Sequence, residues 1–252
     1  MKIISAAKTD VGRKRPHNED AYKVDEELGL FVVADGMGGH AAGEVASQEA
    51  VECLRDNVLA NIAAVEEFRD NPTNDSSMNI RRVMELAVRA AAYQVFGLSE
   101  VDPDRKGMGT TLSMLLLLPA AAFLAHVGDS RIYMIRSGRV KQITSDHTYV
   151  AAMVEQGKMT EEQARTSRYS NVLIRAVGSH DYVEVDTRVV QHKLGDVFLL
   201  CSDGLSGYLK DEEIPNVIVV DDLPGSVDKL IDLALRRGGK DNITVILVRI
   251  DP

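Results

Sequence analysis

Short apolar runs bounded by turn residues fill most of this chain, and helical periods separate them. Met1-Lys2-Ile3-Ile4 opens as a strand-like segment. Ala21 to Asp25 and Leu30 to Ala34 read as strands joined by the turn Glu26-Glu27-Leu28-Gly29. Gly36-Met37-Gly38-Gly39 breaks the pattern. From Glu44 the period becomes helical, with Ser47, Val51, Leu54 and Val58 on one face. A second helix is predicted from about Ser76-Ser77, with Ser77 or Asn79 as cap and Ile80, Val83, Met84, Ala87, Val88, Ala91 and Val95 as its buried stripe. The stretch 70–75 reads as a mobile linker. Thr111 to Leu118, Ala121 to Val127, Arg131 to Arg136 and Val140 to Ile143 read as a meander, turning at Pro119-Ala120, Gly128-Asp129-Ser130 and Ser137-Gly138. Thr148 to Ser170 is polar and helical, like an insertion that could serve as a lid. Strands return at Glu184 to Val190 and Val197 to Cys201. Ser226 is expected to cap a helix through Arg237, which Gly238-Gly239 ends, and Asn242 to Ile250 is the last strand. This order predicts a single α+β sandwich over residues 1–252 with helices outside.

Composition narrows the function. The chain has 252 residues and a net charge of −9. It lacks any long Lys/Arg block, which argues against nucleic acid as a partner. The longest apolar run, Met114 to Val127, is interrupted by Pro119 and His126 and is too short to span a membrane. Without a basic segment followed by an apolar one at the start, no signal peptide is expected. These features predict a soluble, cytoplasmic protein without membrane partners, read as a monomer. Cys53 and Cys201 make neither a disulfide framework nor a zinc knuckle and are expected to be reduced and buried.

Five acidic motifs then carry the chemistry: Asn18-Glu19-Asp20, Ala34-Asp35-Gly36, Gly128-Asp129-Ser130, Ser202-Asp203-Gly204 and Lys240-Asp241-Asn242. Four follow or interrupt apolar runs, so their carboxylates should gather at strand ends. Gathered carboxylates repel one another and are costly to desolvate, and cations between them relieve both effects. Carboxylate and carbonyl oxygens, including that of Gly36, suit Mg²⁺ or Mn²⁺ rather than zinc. Two such ions sharing a carboxylate would lower the pKa of a water and polarise a phosphate ester. Arg15, four residues before Glu19, could hold phosphate oxygens bidentately.

Six segments in order, Arg15-Pro16-His17-Asn18-Glu19-Asp20, Ala34-Asp35-Gly36-Met37-Gly38-Gly39-His40, Gly109-Thr110-Thr111, Val127-Gly128-Asp129-Ser130-Arg131, Cys201-Ser202-Asp203-Gly204-Leu205 and Asp241-Asn242-Ile243-Thr244, resemble the metal-dependent Ser/Thr protein phosphatases of the type-2C class. The Asp-Gly-Met-Gly-Gly-His form is similar to the bacterial branch that opposes Ser/Thr kinases. The resemblance spans about residues 1–251. It implies a four-layer α-β-β-α sandwich of two stacked antiparallel sheets flanked by helices. It implies that Asp35 bridges two Mn²⁺ or Mg²⁺ ions, that Asp203 and Asp241 complete one, and that Glu19 and the Gly36 carbonyl complete the other. Asp20 would orient Arg15 or ligand waters, and Arg15 would hold the phosphate. Asp129 and Asp203 would hold a third metal, with Thr111 close by. The reaction implied is hydrolysis of phosphoserine and phosphothreonine by direct attack of a hydroxide bridging two metals. The implied partners are phosphorylated proteins and a cognate Ser/Thr kinase.

Met37 stands where eukaryotic members of the class carry a histidine, and His40 follows three residues later. His40 is expected to pack in a loop, His17, His126, His180 and His192 to be structural, and His147 has no assigned step. The flap, about 148–170, carries Lys158, Arg165 and Arg168 beside Glu155, Glu161 and Glu162; it reads either as a solvated helical surface or as a selector of the phosphoprotein. Two alternatives to a broad phosphatase stay open at this point: a catalytically dead binding module, and a phosphatase dedicated to one small partner.

Overall fold

Two antiparallel sheets stack face to face, with helices on both outer sides. The structure is a computed structural model and describes residues 1–39 and 42–251. One sheet runs in the order β1 (Lys2–Asp10), β11 (Ile243–Asp251), β10 (Val197–Cys201), β7 (Arg131–Arg136), β8 (Arg139–Gln142). The other runs β2 (Asp20–Asp25), β3 (Leu30–Met37), β5 (Leu112–Leu118), β6 (Ala121–Val127), β9 (Asp186–Val190), with β4 (Gly109–Thr110) paired to β3. The helices are α1 (Ala42–Ala60), α2 (Ile62–Asp70), α3 (Asn74–Val101), α4 (Tyr149–Glu155), α5 (Glu161–Arg165), α6 (Asp203–Ser206), α7 (Ile214–Val217) and α8 (Leu223–Arg237).

The unbroken apolar runs follow from burial on both faces. On β3, Leu30, Val32 and Ala34 face a core shared with Leu54, Ile80 and Met84 of α1 and α3. The alternate residues Phe31 and Val33 face the other sheet and meet Phe198, Leu200, Ile246 and Val248. A third core lies under α8, where Leu230, Ile231 and Ala234 cover Leu199, Val245 and Leu247. Each such Leu or Ile removed from water contributes about 1.5–3 kcal/mol. No helix among the described residues is long and apolar enough to cross a membrane.

Several sequence expectations need correction. The meander is two separate hairpins. β5–β6 turns at Pro119-Ala120 within one sheet, and β7–β8 turns at Ser137-Gly138 in the other. Ser137 and Gly138 both have positive φ (50° and 73°), the geometry of a tight two-residue hairpin. Gly128-Asp129-Ser130 is therefore the crossing between sheets, not a hairpin turn. Residues 70–75 form a tight corner rather than a loose linker. Thr73 caps α3, accepting from the Ser76 amide at 3.1 Å, while the Ser76 hydroxyl donates to the Asn71 carbonyl at 2.9 Å. Neither Ser77 nor Asn79 is the cap, because the helix starts a turn earlier. Asp222, not Ser226, caps α8, accepting from the Gly225 amide at 2.9 Å. Ser226 lies inside the first turn and donates back to the Asp222 carbonyl at 2.8 Å. Cys53 is half-buried, Cys201 is buried, and both are free thiols.

Candidate metal centre

The acidic motifs meet at one end of the sandwich because each lies where a central strand begins or ends. Asp20 opens β2 and is paired with Asp35 near the end of β3. Asp203 follows β10 as the first residue of α6, Asp241 lies just before β11, and Asp129 sits in the crossing from β6 to β7. Asp35 and Asp203 are close enough to share a hydrogen bond, and Asp35 feels the charges of Asp20, Asp203, Asp129 and Asp241.

Glycines let these segments close up. A Cβ on Gly36 would lie 2.0 Å from the Gly43 carbonyl oxygen, and one on Gly204 would lie 1.8 Å from the Asn242 carbonyl oxygen. No larger residue fits either place.

Hydroxyls and amides fix the acids from behind. The Asp35 amide donates to Thr111 Oγ1 at 2.9 Å, and Thr110 Oγ1 donates to the Asp35 carbonyl at 2.9 Å. Thr111 and Ser130 share a hydroxyl contact of 2.7 Å, which joins the Asp35 strand to the Asp129 crossing. Asp20 Oδ2 accepts from Ser202 Oγ at 2.8 Å and Thr244 Oγ1 at 2.6 Å. That commitment turns Asp20 toward β10 and β11 and away from Arg15. Arg15 Nη2 instead donates to Asp241 Oδ2 at 2.8 Å, half-exposed at the rim.

The sequence motifs single out Asp241 and not its neighbour Asn242. Its buried amide makes three contacts. Nδ2 donates to the Val11 and His17 carbonyls, both at 2.9 Å, and Oδ1 accepts from the Glu19 amide at 2.8 Å. This one side chain holds the loop that carries Arg15 and Glu19. The signal was the Asp-Asn pair itself, since a side chain that both donates and accepts can staple a loop.

The cluster is electrostatically unfavourable as it stands. Burial first, and then neighbouring carboxylates, push Asp20 up to about 7 and Asp203 up to about 6. Burial and the charge of Asp203 push Asp129 up to about 7. Asp35 lies well above the usual carboxylate range for the same reasons, and Glu19 is raised mainly by burial. Three buried oxygens, Glu19 Oε1, Asp20 Oδ1 and Asp203 Oδ1, have no hydrogen-bond partner among the described residues. Acceptors without donors are the groups a hard cation would satisfy, so the donor set fits Mg²⁺ or Mn²⁺ in kind. Among the described residues, no group of three or more His, Cys, Asp or Glu side chains is arranged to hold a metal ion. His40 lies outside the described residues. Buried His126 has structural partners: it bonds to Ser113 Oγ at 2.9 Å and the Ser145 carbonyl at 3.1 Å, and burial lowers it to about 4.

The sequence profile of the family described as protein phosphatase 2C matches residues 12–244. The chain belongs to the protein phosphatase 2C family. Within that family it is 39% identical over 242 residues to the serine/threonine protein phosphatase PstP of Mycobacterium tuberculosis, covering 96% of this chain and 44% of that protein. It thus spans less than half the length of this curated relative. It is also 35% identical over 248 residues to the serine/threonine phosphatase stp of Listeria monocytogenes, covering 97% and 94% of the two chains. A crystal structure of PstP superposes with a TM-score of 0.87 at 37% identity, covering all of both chains. A second structure, the PstP catalytic domain in complex with two manganese ions, superposes with a TM-score of 0.79 at 37% identity over 99% of each chain.

Proposed function

We propose that this chain is a metal-dependent phosphatase that hydrolyses phosphoserine and phosphothreonine in proteins, acting as one catalytic domain over residues 1–252. The observation that carries this reading is the set of donor-less buried carboxylate oxygens on Glu19, Asp20 and Asp203, gathered beside Arg15 in a protein phosphatase 2C fold. The two manganese ions in the PstP structure support a divalent cofactor, either Mn²⁺ or Mg²⁺.

Asp35, Asp203 and Asp241 would hold one ion, and Asp35, Glu19 and the Gly36 carbonyl the other. Asp129 and Asp203 would hold a third. When bound, the ions supply positive charge to the acids and the phosphate and lower the pKa of the attacking water. The remaining work falls to the chain. Arg15 exchanges its Asp241 contact for phosphate oxygens and fixes the ester for in-line attack. Asp20, anchored by Ser202 and Thr244, offers its free Oδ1 to waters around the ions. Thr111 holds the Asp35 backbone, and Asn242 holds the Arg15 loop. The flap, α4 and α5 with the exposed Lys158, Arg165 and Arg168, would contact the phosphoprotein. Substrates of this kind imply a cognate Ser/Thr kinase that supplies them.

The test is turnover of p-nitrophenyl phosphate and of phosphoserine and phosphothreonine peptides by purified protein with saturating Mn²⁺. Mn²⁺-dependent release of phosphate is expected. An inert protein would favour the binding-module reading instead.

A further inference from the structure

We propose that His147 is a positioning residue: it clamps the backbone of Gly128 and so ties the base of the flap to the crossing that carries Asp129. This rests on the reading above, in which Asp129 takes part in holding an ion.

The clamp has two points. Gly128 N–H donates to His147 Nδ1 at 3.1 Å, and the His147 amide donates to the Gly128 carbonyl at 2.7 Å. Gly128 cannot move freely on its other side. It has a φ of +110°, and a Cβ there would lie 2.6 Å from Thr111 Cβ and Cγ2. Thr111 is the residue that receives the Asp35 amide. A shift of Gly128 would therefore reach Asp129 directly and Asp35 through Thr111.

The ring is set from its far side. Because Gly128 N–H occupies Nδ1, a neutral ring carries its proton on Nε2. Nε2 lies 3.3 Å from both Asp186 Oδ2 and Arg175 Nη1, and Asp186 Oδ1 accepts from Arg175 Nη1 at 2.8 Å. The ring is buried, with an overall downward pKa shift led by desolvation, which fits the neutral form.

The same residue begins the flap. The His147 carbonyl accepts from the Ile174 amide at 2.9 Å, Thr148 pairs with Leu173, and the Tyr149 amide donates to Val172 at 2.8 Å. Beyond the flap, Val177 and Thr110 exchange backbone bonds of 2.9 and 2.8 Å, and Thr110 bonds the Asp35 carbonyl. Both ends of the flap thus anchor on segments that bear the carboxylates. His147, to which the sequence alone assigns no chemical step, acquires a mechanical one.

Two substitutions separate the two nitrogens. His147→Asn keeps a polar atom near the Nδ1 position and loses the reach to Asp186. His147→Gln reaches toward Asp186 and loses the acceptor for Gly128. The first readout is exchange of the Gly128 amide, followed by NMR on chelator-treated full chain. Exchange should quicken about tenfold in His147→Gln and stay near wild type in His147→Asn. The second readout is Mn²⁺ calorimetry, where His147→Gln should weaken one binding event about tenfold and leave the others. Asp186→Asn, which leaves the buried ring in place, should quicken Gly128 exchange by a smaller factor and serves if neither His147 variant folds. Equal Gly128 exchange in wild type and His147→Gln would overturn the clamp, as would an Asn variant as fast as the Gln variant. A wild-type protein inert with Mn²⁺ but showing the expected exchange pattern would sink the phosphatase reading and keep the clamp.

Discussion

Two groups of wholly or partly buried acids in this molecule are treated in opposite ways. Just before β10, at the opposite end of that strand from Asp203, Asp196 is 2% exposed and fully bonded. It accepts from Arg136 Nε at 2.8 Å and Nη2 at 2.6 Å and from the Lys193 amide at 2.7 Å. Asp146 is similarly gripped by Arg131, at 2.7 Å from Nη2. Asp20 is buried and Asp35 and Asp203 are half-buried among other acids, and two of the three keep an oxygen without a donor. A buried carboxylate that only supports a fold acquires a cationic partner from the chain. One that awaits a partner from outside does not, and the folded state bears the repulsion until that partner arrives.

The sharpest break of this contrast is Asp35→Asn. With saturating Mn²⁺, kcat should fall about a thousandfold or more, since the substitution removes the carboxylate proposed to bridge two ions. The metal-free variant should nevertheless be more stable than wild type by about 1 kcal/mol, because one buried repulsive charge is gone. Activity assays and chelator-treated thermal unfolding read the two effects separately. A destabilised metal-free variant would mean that Asp35 serves packing after all.

How much of this was legible beforehand depends on range. The apolar run Leu30 to Ala34 announced both the strand and Asp35 at its end, because strand periodicity is local. The α3 stripe at Ile80, Met84 and Val88 was equally plain. Sheet membership was not. Nothing within Ala121 to Arg136 says that the chain changes sheets at Gly128, since hairpin turns and crossings use the same residues. Nor could Thr73 be preferred over Ser77 as a cap when both are common capping types. For the site, the acids were visible as motifs. Their supports, Asn242, Ser202 and Thr244, act across more than 180 residues on Asp20 and the Arg15 loop, and local pattern is silent at that range.

A second test varies pH and metal together. The folded pKa of Asp20 and Asp129, about 7, lies above the unfolded carboxylate value near 4. Between those values the unfolded chain releases protons that the folded one keeps, so these groups lose stability as pH rises, with the full loss above about 7. His126, lowered to about 4, slopes the other way because it is buried neutral. The difference between Mn²⁺-loaded and chelated protein cancels His126 and isolates the acids. That difference should be small at pH 5 and grow above pH 7, reaching about 2.7 kcal/mol when Mn²⁺ is at a hundred times Kd. A Mn²⁺ stabilisation independent of pH would place binding elsewhere.

On the paired side, Asp196→Ala should cost about 2 kcal/mol in denaturant unfolding, with kcat and KM unchanged. It leaves Arg136 and the Lys193 amide without their acceptor. A variant that loses activity without losing stability would dissolve the distinction between the two groups.

The smallest effect is expected where the two groups meet. Arg15 forms an ion pair like Arg136, yet its side chain is 47% exposed and its partner Asp241 is 30% exposed. Such a pair contributes at most about 1 kcal/mol to stability. Arg15→Ala should therefore leave unfolding nearly unchanged. If the guanidinium is instead reserved for phosphate, its loss should raise KM for a phosphopeptide about tenfold, with a smaller change in kcat, because it binds ester and transition state alike. An Arg15→Ala protein with normal KM and lowered stability would move this residue to the structural side, away from the substrate.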